Sequence, residues 1–473
     1  MTEQRYAAYK TSGSSWIGDI PNHWTTSKLR HLMREKRERG RPDLPLLSVV
    51  RDRGVINRMT STDVVNHNRI PDDLRNYKVA RAGDLVINKM KAWQGSLGIS
   101  PIDGIVSPAY FVFGTTVSNR DFANILFRSA PYTSHFGELS DGVRVGQWDL
   151  SLSGIREIPV FLPPADEQLA IVKYLRYIQQ EVEAAVHTKR RLVSLIIEQK
   201  EAIRHAYLTR GLDMSEPLKE SEIPGVGLIP ERWEVMRVKQ LCQRIVDCKN
   251  RTPELVPNGG YTVVRTTNIR SGNFRPQGSF ETDRENYEIW TQRGAPRPGD
   301  VFFTREAPAG EACVVPDLPG LCMGQRMMYL RPNPETLEGR YLVHSIYGPA
   351  IRTYIDLATN GSTVGHLRLG QVGALPVIWC PVEEQRAIVD RIDQEWAPLN
   401  AAISRAEREI TLLREYQTRL TADVVTGKLD VRAAAAALPD VDPHDPDLVT
   451  ACYGDEGGMN ADLDGDDAVE ESM

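Results

Sequence analysis

Asp166-Glu167-Gln168-Leu169-Ala170-Ile171-Val172 is answered 217 positions later by Glu383-Glu384-Gln385-Arg386-Ala387-Ile388-Val389. Each stretch follows a proline, Pro163-Pro164 in the first copy and Pro381 in the second, and each opens an apolar pattern at helical spacing. The pairs Leu175/Ile392, Val182/Leu399, Val186/Ile403, Val193/Ile410, Ile196/Leu413 and Ile203/Leu420 keep that offset. Apolar steps of three and four over about five heptads predict a long helix with a coiled-coil seam. A helix from Asp166 to Tyr207 is about 60 Å long at 1.5 Å per residue. Two such helices in one chain can bury their seams against each other. The plain reading of the stripe is core, so its function lies in geometry. Pro398 lacks a backbone N–H and predicts a kink or a late start in the second helix. Lys189 and Gln417 are polar intrusions that fix register at a cost in stability.

The repeat extends outward from the helices. Trp16 to Trp24, containing Pro21, matches Gly225 to Trp233, containing Pro230, at an offset of 209, so the second half carries eight extra residues in its body. Arg81-Ala82-Gly83-Asp84-Leu85-Val86-Ile87 matches Arg297-Pro298-Gly299-Asp300-Val301-Phe302-Phe303. Gly-Asp before a short β-branched or aromatic run reads as a turn delivering a strand. Gly142 to Gln147 resembles Gly361 to His366, and Gly211 and Gly427 stand where helix C-terminal glycines belong. The expected domains are residues 1–165, a long helix over 166–210, a linker over 211–227, a second globular domain over 228–382, a second helix over 383–432 and a tail over 433–473. The expected fold class is α/β (α+β): two globular domains with curved, mostly antiparallel sheets, separated by two long helices packed as an antiparallel coiled coil. Antiparallel helices follow most economically from the short link between Leu208 and Gly227.

The net charge of −6 hides an uneven distribution, because residues 433–473 hold twelve acidic residues and no Lys or Arg. The remaining body counts 57 basic against 51 acidic residues, including the run Arg34, Lys36, Arg37, Arg39, Arg41. A basic body with such a run is compatible with a polyanion, although charge runs are usually solvated faces. The tail has the composition of a disordered segment. Its Asp462-Leu463-Asp464-Gly465-Asp466-Asp467 lacks the glycine and the final glutamate of a calcium loop. Six scattered cysteines without a C-x-x-C pair, and an N-terminus without an apolar signal region, predict a cytoplasmic protein.

Catalytic motifs are thin. Gly427-Lys428-Leu429 is no P-loop, no His/Cys spacing suggests zinc, and Asn333-Pro334-Glu335-Thr336 is not an amino-methyltransferase loop. Pro230-Glu231 with Asp247-Cys248-Lys249 imitates a nuclease metal site, but Pro230-Glu231 has a counterpart in Pro21-Asn22 of the repeat. The loops offer groups suited to phosphates and base edges instead. In the first half these are Asn88, Lys89, Lys91, Trp93, Gln94, Arg144 and Gln147; in the second they are Arg265, Asn268, Arg270, Arg305, Arg326, Thr363, His366 and Arg368.

With Pro21…Trp24 and Pro230…Trp233, the paired Gly-Asp turns, and the proline–acid–Gln helix starts, the chain resembles the specificity subunit of a type I restriction–modification system from residue 14 to about 432. The second helix start departs from that pattern with Cys380-Pro381, and the acidic tail lies outside it. The resemblance implies two target-recognition domains, each reading half of a bipartite asymmetric site in double-stranded DNA. It implies a helix pair that spaces them and docks two modification (methyltransferase) subunits, with restriction (endonuclease/translocase) subunits joining that core. It also implies a chain without catalysis or cofactors of its own, S-adenosylmethionine, Mg2+ and ATP residing on the partners. A stand-alone nuclease, a fused methyltransferase and a protein-binding coiled-coil scaffold are the alternatives.

Overall fold

The computed structural model describes residues 4–51, 53–58, 73–141, 149–249, 251–359 and 365–439. Residues 1–189 with 407–473 form one compact unit and residues 190–406 a second.

In unit 1 a four-stranded antiparallel sheet holds β1 (Met33–Glu35), β2 (Asp84–Asn88), β3 (Leu97–Ile99) and β4 (Tyr110–Thr115) in the order β1-β4-β2-β3. Successive side chains of a strand point to opposite faces. Leu85 and Ile87 therefore join Phe122, Leu126, Phe127 and Phe136 of the helices Arg120–Arg128 and Ala130–Glu138. Val86 and Val112 join Leu47, Val49 and Val55 in a separate cluster. The Gly-Asp turn has a clear cause. Gly83 takes a φ of +94°, which favours glycine. The Asp84 carboxylate accepts from the Arg81 backbone N–H at 2.9 Å and from Lys36 Nζ at 2.7 Å.

The first long helix, α1, runs from Ala165 to Arg210. In unit 2, β5 (Cys242–Asp247), β6 (Val301–Thr304), β7 (Ala312–Val314) and β8 (Met327–Pro332) repeat the sheet in the order β5-β8-β6-β7, also antiparallel. Asp300 repeats the turn, accepting from the Arg297 N–H at 2.9 Å, with Arg331 as its cation at 2.7 Å. Unit 2 also holds Tyr261–Val264 paired parallel with Leu321–Met323, and the helix Arg284–Trp290. The second long helix, α2, spans Val382–Val425 and contains Pro398. It starts well before the proline, so the late start expected from Pro398 does not occur; one proline removes a single N–H donor from a helix held by its apolar face.

The paired motifs of the sequence are the fastenings of these helices. In unit 1, Trp24 Nε1 donates to the Glu167 carboxylate at 2.9 Å, Tyr6 OH donates to it at 2.6 Å, and His23 Nε2 meets it at 2.6 Å. Gln168 Nε2 donates to the Pro163 carbonyl at 3.0 Å and its Oε1 accepts from Ser118 Oγ at 3.1 Å, which ties the helix start to the segment capping Arg120–Arg128. In unit 2, Trp233 Nε1 donates to Glu384 at 3.3 Å, and Gln385 accepts from the Glu338 N–H at 2.9 Å while donating to the Cys380 carbonyl at 2.7 Å. The far helix ends on the same tryptophans. A Cβ added to Gly427, just past α2, would lie 3.2 Å from Trp24, and one on Gly211, just past α1, 2.9 Å from Trp233. Within each unit the helix segments therefore run antiparallel.

Leu175, Val182, Val186, Ile196, Ile392 and Leu420 of the seam are buried, and Val193, Ile203, Leu399, Ile403, Ile410 and Leu413 are half-buried. Lys189 pairs with Glu409 within unit 1. Two segments hold more secondary structure than their composition suggests. The alanine run expected to open the disordered tail forms a helix, Arg432–Ala437, and Ala435 is buried against the unit 1 core. Alanine has the strongest helix propensity, and here it also gains packing. The segment expected as linker contains a strand, Leu218–Glu220, paired antiparallel with Leu228–Pro230. Tyr9–Thr11 pairs with Asp19–Pro21 in the same way. Residues 440–473, including the calcium-like stretch, lie outside the described residues.

Candidate nucleic-acid interface

Both sheets gather three loops at one strand end. In unit 1, Asn88 closes β2 opposite Tyr110, and the Leu150 N–H donates to the Lys89 carbonyl at 3.0 Å. In unit 2, Thr304 closes β6 opposite Met327. There the Arg305 N–H donates to the Arg326 carbonyl at 2.9 Å, and the Leu367 N–H to the Arg305 carbonyl at 3.0 Å. Lys89 and Arg305 are thus equivalent positions, and the segments before Leu150 and Leu367 arrive at equivalent places. Arg144, Gln147 and Thr363 belong to those segments and lie outside the described residues.

The unit 1 end is cationic. Lys91 is exposed, and Lys89, Trp93 and Gln94 are half-buried around the short 3-10 turn Ala92–Gln94. Asn88, expected to face DNA, is engaged inside the turn. It is buried, its Oδ1 accepts from the Met90 N–H at 3.2 Å and its Nδ2 reaches Tyr110 OH at 3.4 Å, so it shapes the turn. Sequence reasoning missed Lys78. Its side chain is buried, and Nζ donates to the Tyr110 carbonyl. Burial holds its pKa below the ordinary lysine value, Glu35 opposes the shift, and nearby Arg39, Arg37 and Lys89 add to it. Much of the basic run is engaged within the unit: Lys36 with Asp84, Arg37 with Glu35 and Arg41 with Asp43. Arg34 and Arg39 are exposed.

The unit 2 end is laced with acids. Arg305, expected to face DNA, is paired within the unit; its side chain is 11% exposed and Nη1 donates to Asp247 Oδ2 at 3.0 Å. Asn268, also expected to face DNA, is engaged with the backbone. It is fully buried, accepting from the Arg265 N–H at 2.8 Å and donating to the carbonyls of Arg275 and Gln277. Arg265 is exposed, donates to the Gly278 carbonyl and lies over the Phe280 ring at 5.6 Å. Arg270 is half-buried, and exposed Arg368 precedes the helix Leu369–Gly373. Arg326 and His366, distant in sequence, meet on one carboxylate. Glu306 lies 3.4 Å from Arg326 Nε and 2.9 Å from His366 Nδ1.

Further cations at this end escaped the sequence reading. Lys249 and Arg251 lie over the Trp290 ring at 5.4 and 5.2 Å, and Arg293 reaches the Asp247 and Cys248 carbonyls at 3.5 Å. The signal was the Asp247-Cys248-Lys249 tripeptide itself. Asp247 engages Arg305, and Lys249 engages Gln292 and Trp290, so neither is arranged as a nuclease centre. Among the described residues, no group of three His, Cys, Asp or Glu side chains could hold a metal ion, and no helix is long and apolar enough to cross a membrane.

Residues 230–411 match the family described as "Type I restriction modification DNA specificity domain". A putative type I restriction enzyme MjaX specificity subunit from Methanocaldococcus jannaschii is 20% identical over 290 residues, 61% of this chain and 63% of the relative. The chain thus spans just under two thirds of that curated relative's length. A chain of a solved type I R-M system, described for its complex assembly and conformational transition, superposes with a TM-score of 0.55 at 18% identity, covering 87% of this chain and 99% of that one. The HsdS subunit from Thermoanaerobacter tengcongensis aligns over 89% of this chain and 99% of its own at 17% identity, with a TM-score of 0.41.

Proposed function

We propose that this chain belongs to the type I restriction–modification specificity-subunit family and that it reads a bipartite, asymmetric DNA site with two different strand ends. Unit 1 reads one half-site through the Lys89–Gln94 loop and the segment before Leu150. Unit 2 reads the other through the loops around Arg326 and His366. The helices α1 and α2 form the coiled-coil linker between the two recognition domains and act as the ruler between half-sites. Two methyltransferase subunits dock on this core and restriction subunits join them, so chemistry, S-adenosylmethionine, Mg2+ and ATP stay with the partners and this cytoplasmic chain catalyses nothing itself.

The supporting observation is that one backbone arrangement, held by one kind of helix fastening, occurs twice with different side chains at its loop end. Phosphate contacts fix a protein on a duplex, and base-edge contacts specify sequence. A chain with one scaffold and two unlike edges suits two unlike half-sites. The test is binding to a library of duplexes randomised at both half-sites, with and without a methyltransferase partner. Selection of two separated motifs at a fixed gap is expected. Failure to retain duplex DNA in either state, with the partner still bound, would instead make the chain a protein scaffold.

A further inference from the structure

Three matched positions at the strand ends carry unlike residues. Counting along the equivalent strands, Glu306, Arg326 and His366 of unit 2 stand where unit 1 has Met90, Ala109 and Asp149. Within unit 2 the three form a cluster of their own, with the Glu306 carboxylate between Arg326 Nε at 3.4 Å and His366 Nδ1 at 2.9 Å. A surface ion pair alone would carry little meaning. This one has further features. Arg326 has a φ of +68°, a backbone conformation that non-glycine residues seldom adopt. Its carbonyl accepts from the Arg305 N–H, and the Arg305 carbonyl accepts from Leu367, so one ladder links the three loops. Arg305 spends its guanidinium on Asp247, whereas Arg326 is 48% exposed. Glu306, at 20% exposure, is the more buried member of its pair.

Building on the two-reader proposal above, we propose that Arg326 is a specificity-determining residue of the second half-site, taking the O6/N7 edge of a guanine, and that Glu306 is the positioning residue that aims it. Arginine matches that edge bidentately. The carboxylate grips the guanidinium on its Nε side, leaving the terminal nitrogens for the base. A carboxylate at the DNA surface also repels phosphates, so Glu306 makes non-specific seating of this edge less favourable and sharpens the difference between right and wrong sequence. His366 is the second donor on that carboxylate and fixes its orientation.

The experiment uses the full chain assembled with its methyltransferase partner and duplexes randomised at both half-sites. Arg326→Ala is expected to lose at least tenfold discrimination at one guanine of one half-site while keeping the other half-site. Arg326→Lys is expected to lose most of it too, because a flexible ammonium lacks the planar fork that Glu306 aims. Arg326→Gly suits the left-handed backbone, so its melting temperature is expected to match or exceed wild type while the preference still disappears. Glu306→Gln is expected to relax the same position and to raise retention of random duplex. Equal weakening on all sequences in Arg326→Ala and Arg326→Lys, with a shallower salt dependence, would make Arg326 a phosphate contact and overturn the assignment. So would wild-type preference and wild-type random-duplex retention in Glu306→Gln. If wild type itself shows no preference at either half-site, the two-reader proposal falls with it; if wild type selects two motifs and Arg326→Ala selects the same two, only the present assignment falls.

Discussion

At the helix junctions the two halves repeat their interactions: Trp24 donates to Glu167 as Trp233 donates to Glu384, and Gln168 and Gln385 tie each helix start to the neighbouring helix of the globular domain. At the strand ends they do not. Lys89, with Arg37 and Arg39, acts on the buried Lys78, whereas the counterpart of Lys89, Arg305, is paired with Asp247. The difference separates two kinds of constraint. A junction must bury a tryptophan and satisfy a carboxylate, and few residue sets do both. A strand end must only close its turn, which backbone hydrogen bonds accomplish, so its side chains can vary with what they face.

The largest effect tests the shared junction. Trp24→Ala and Trp233→Ala each empty a fully buried site and leave the glutamate short of a donor. Each is expected to cost about 3–5 kcal/mol in denaturant unfolding, by nearly the same amount. A variant that costs under about 1 kcal/mol while its partner costs several would break the equivalence. Next comes the pair that differs. Arg305→Ala strands Asp247 in a largely buried place and is expected to cost about 3 kcal/mol of stability. Lys89→Ala, at the same repeat position, is expected to cost less than about 1 kcal/mol and to weaken DNA binding instead. Reversal of the two effects in melting and binding assays would invert the contrast drawn here.

Much of the scaffold was legible because periodicity and internal repetition are properties of the chain itself. The seam, the Gly-Asp turns and the Trp–Glu motifs all repeat at nearly constant spacing. The reading edge was harder. Asn88, Asn268 and Arg305 have the right chemistry for DNA, but a polar side chain near a strand end serves equally to cap a turn or neutralise an acid. The decisive partner of Arg305 is Asp247, 58 residues away, and no local pattern announces it. Lys78 hid for the opposite reason: a lysine in a short strand reads as solvent-facing, and only the fold buries it.

A second asymmetry lies beside the helices. In unit 2, Arg204 is 6% exposed and packs on the rings of Trp396 and Tyr347 at 4.6 and 5.2 Å, with His344 against Trp396. The corresponding residues of unit 1 are Thr421, Gln179, Ala130 and Phe127, and there an open groove of about 440 Å³ is lined by Ala130, Thr418 and Ala422. Burial, with Arg204, Arg340 and Lys200 nearby, pushes the His344 pKa down to about 3. The unfolded histidine takes a proton below about pH 6.5 and the folded one does not, so stability is full above that pH and falls as pH drops toward 3. Wild type at pH 5 is expected to have lost about 2 kcal/mol relative to pH 7 from this group. His344→Phe, which copies unit 1, is expected to remove that slope; an unchanged slope in denaturant titrations at the two pH values would assign it elsewhere.

The smallest effects concern single contacts in the unit 1 loop. Lys91→Ala is expected to weaken binding about equally on all duplexes and reduce the salt slope by about one. Gln94→Ala is expected to relax one base position in the first half-site by about 1 kcal/mol, the low end for a bidentate contact.

The most direct test of two independent readers is exchange of residues 82–160 for those of a homologous chain, followed by sequencing of the duplexes selected by the complex assembled with its methyltransferase partner. One half-site is expected to change while the other half-site and the gap between them stay as they were. Simultaneous change at both half-sites, or at neither, would contradict it.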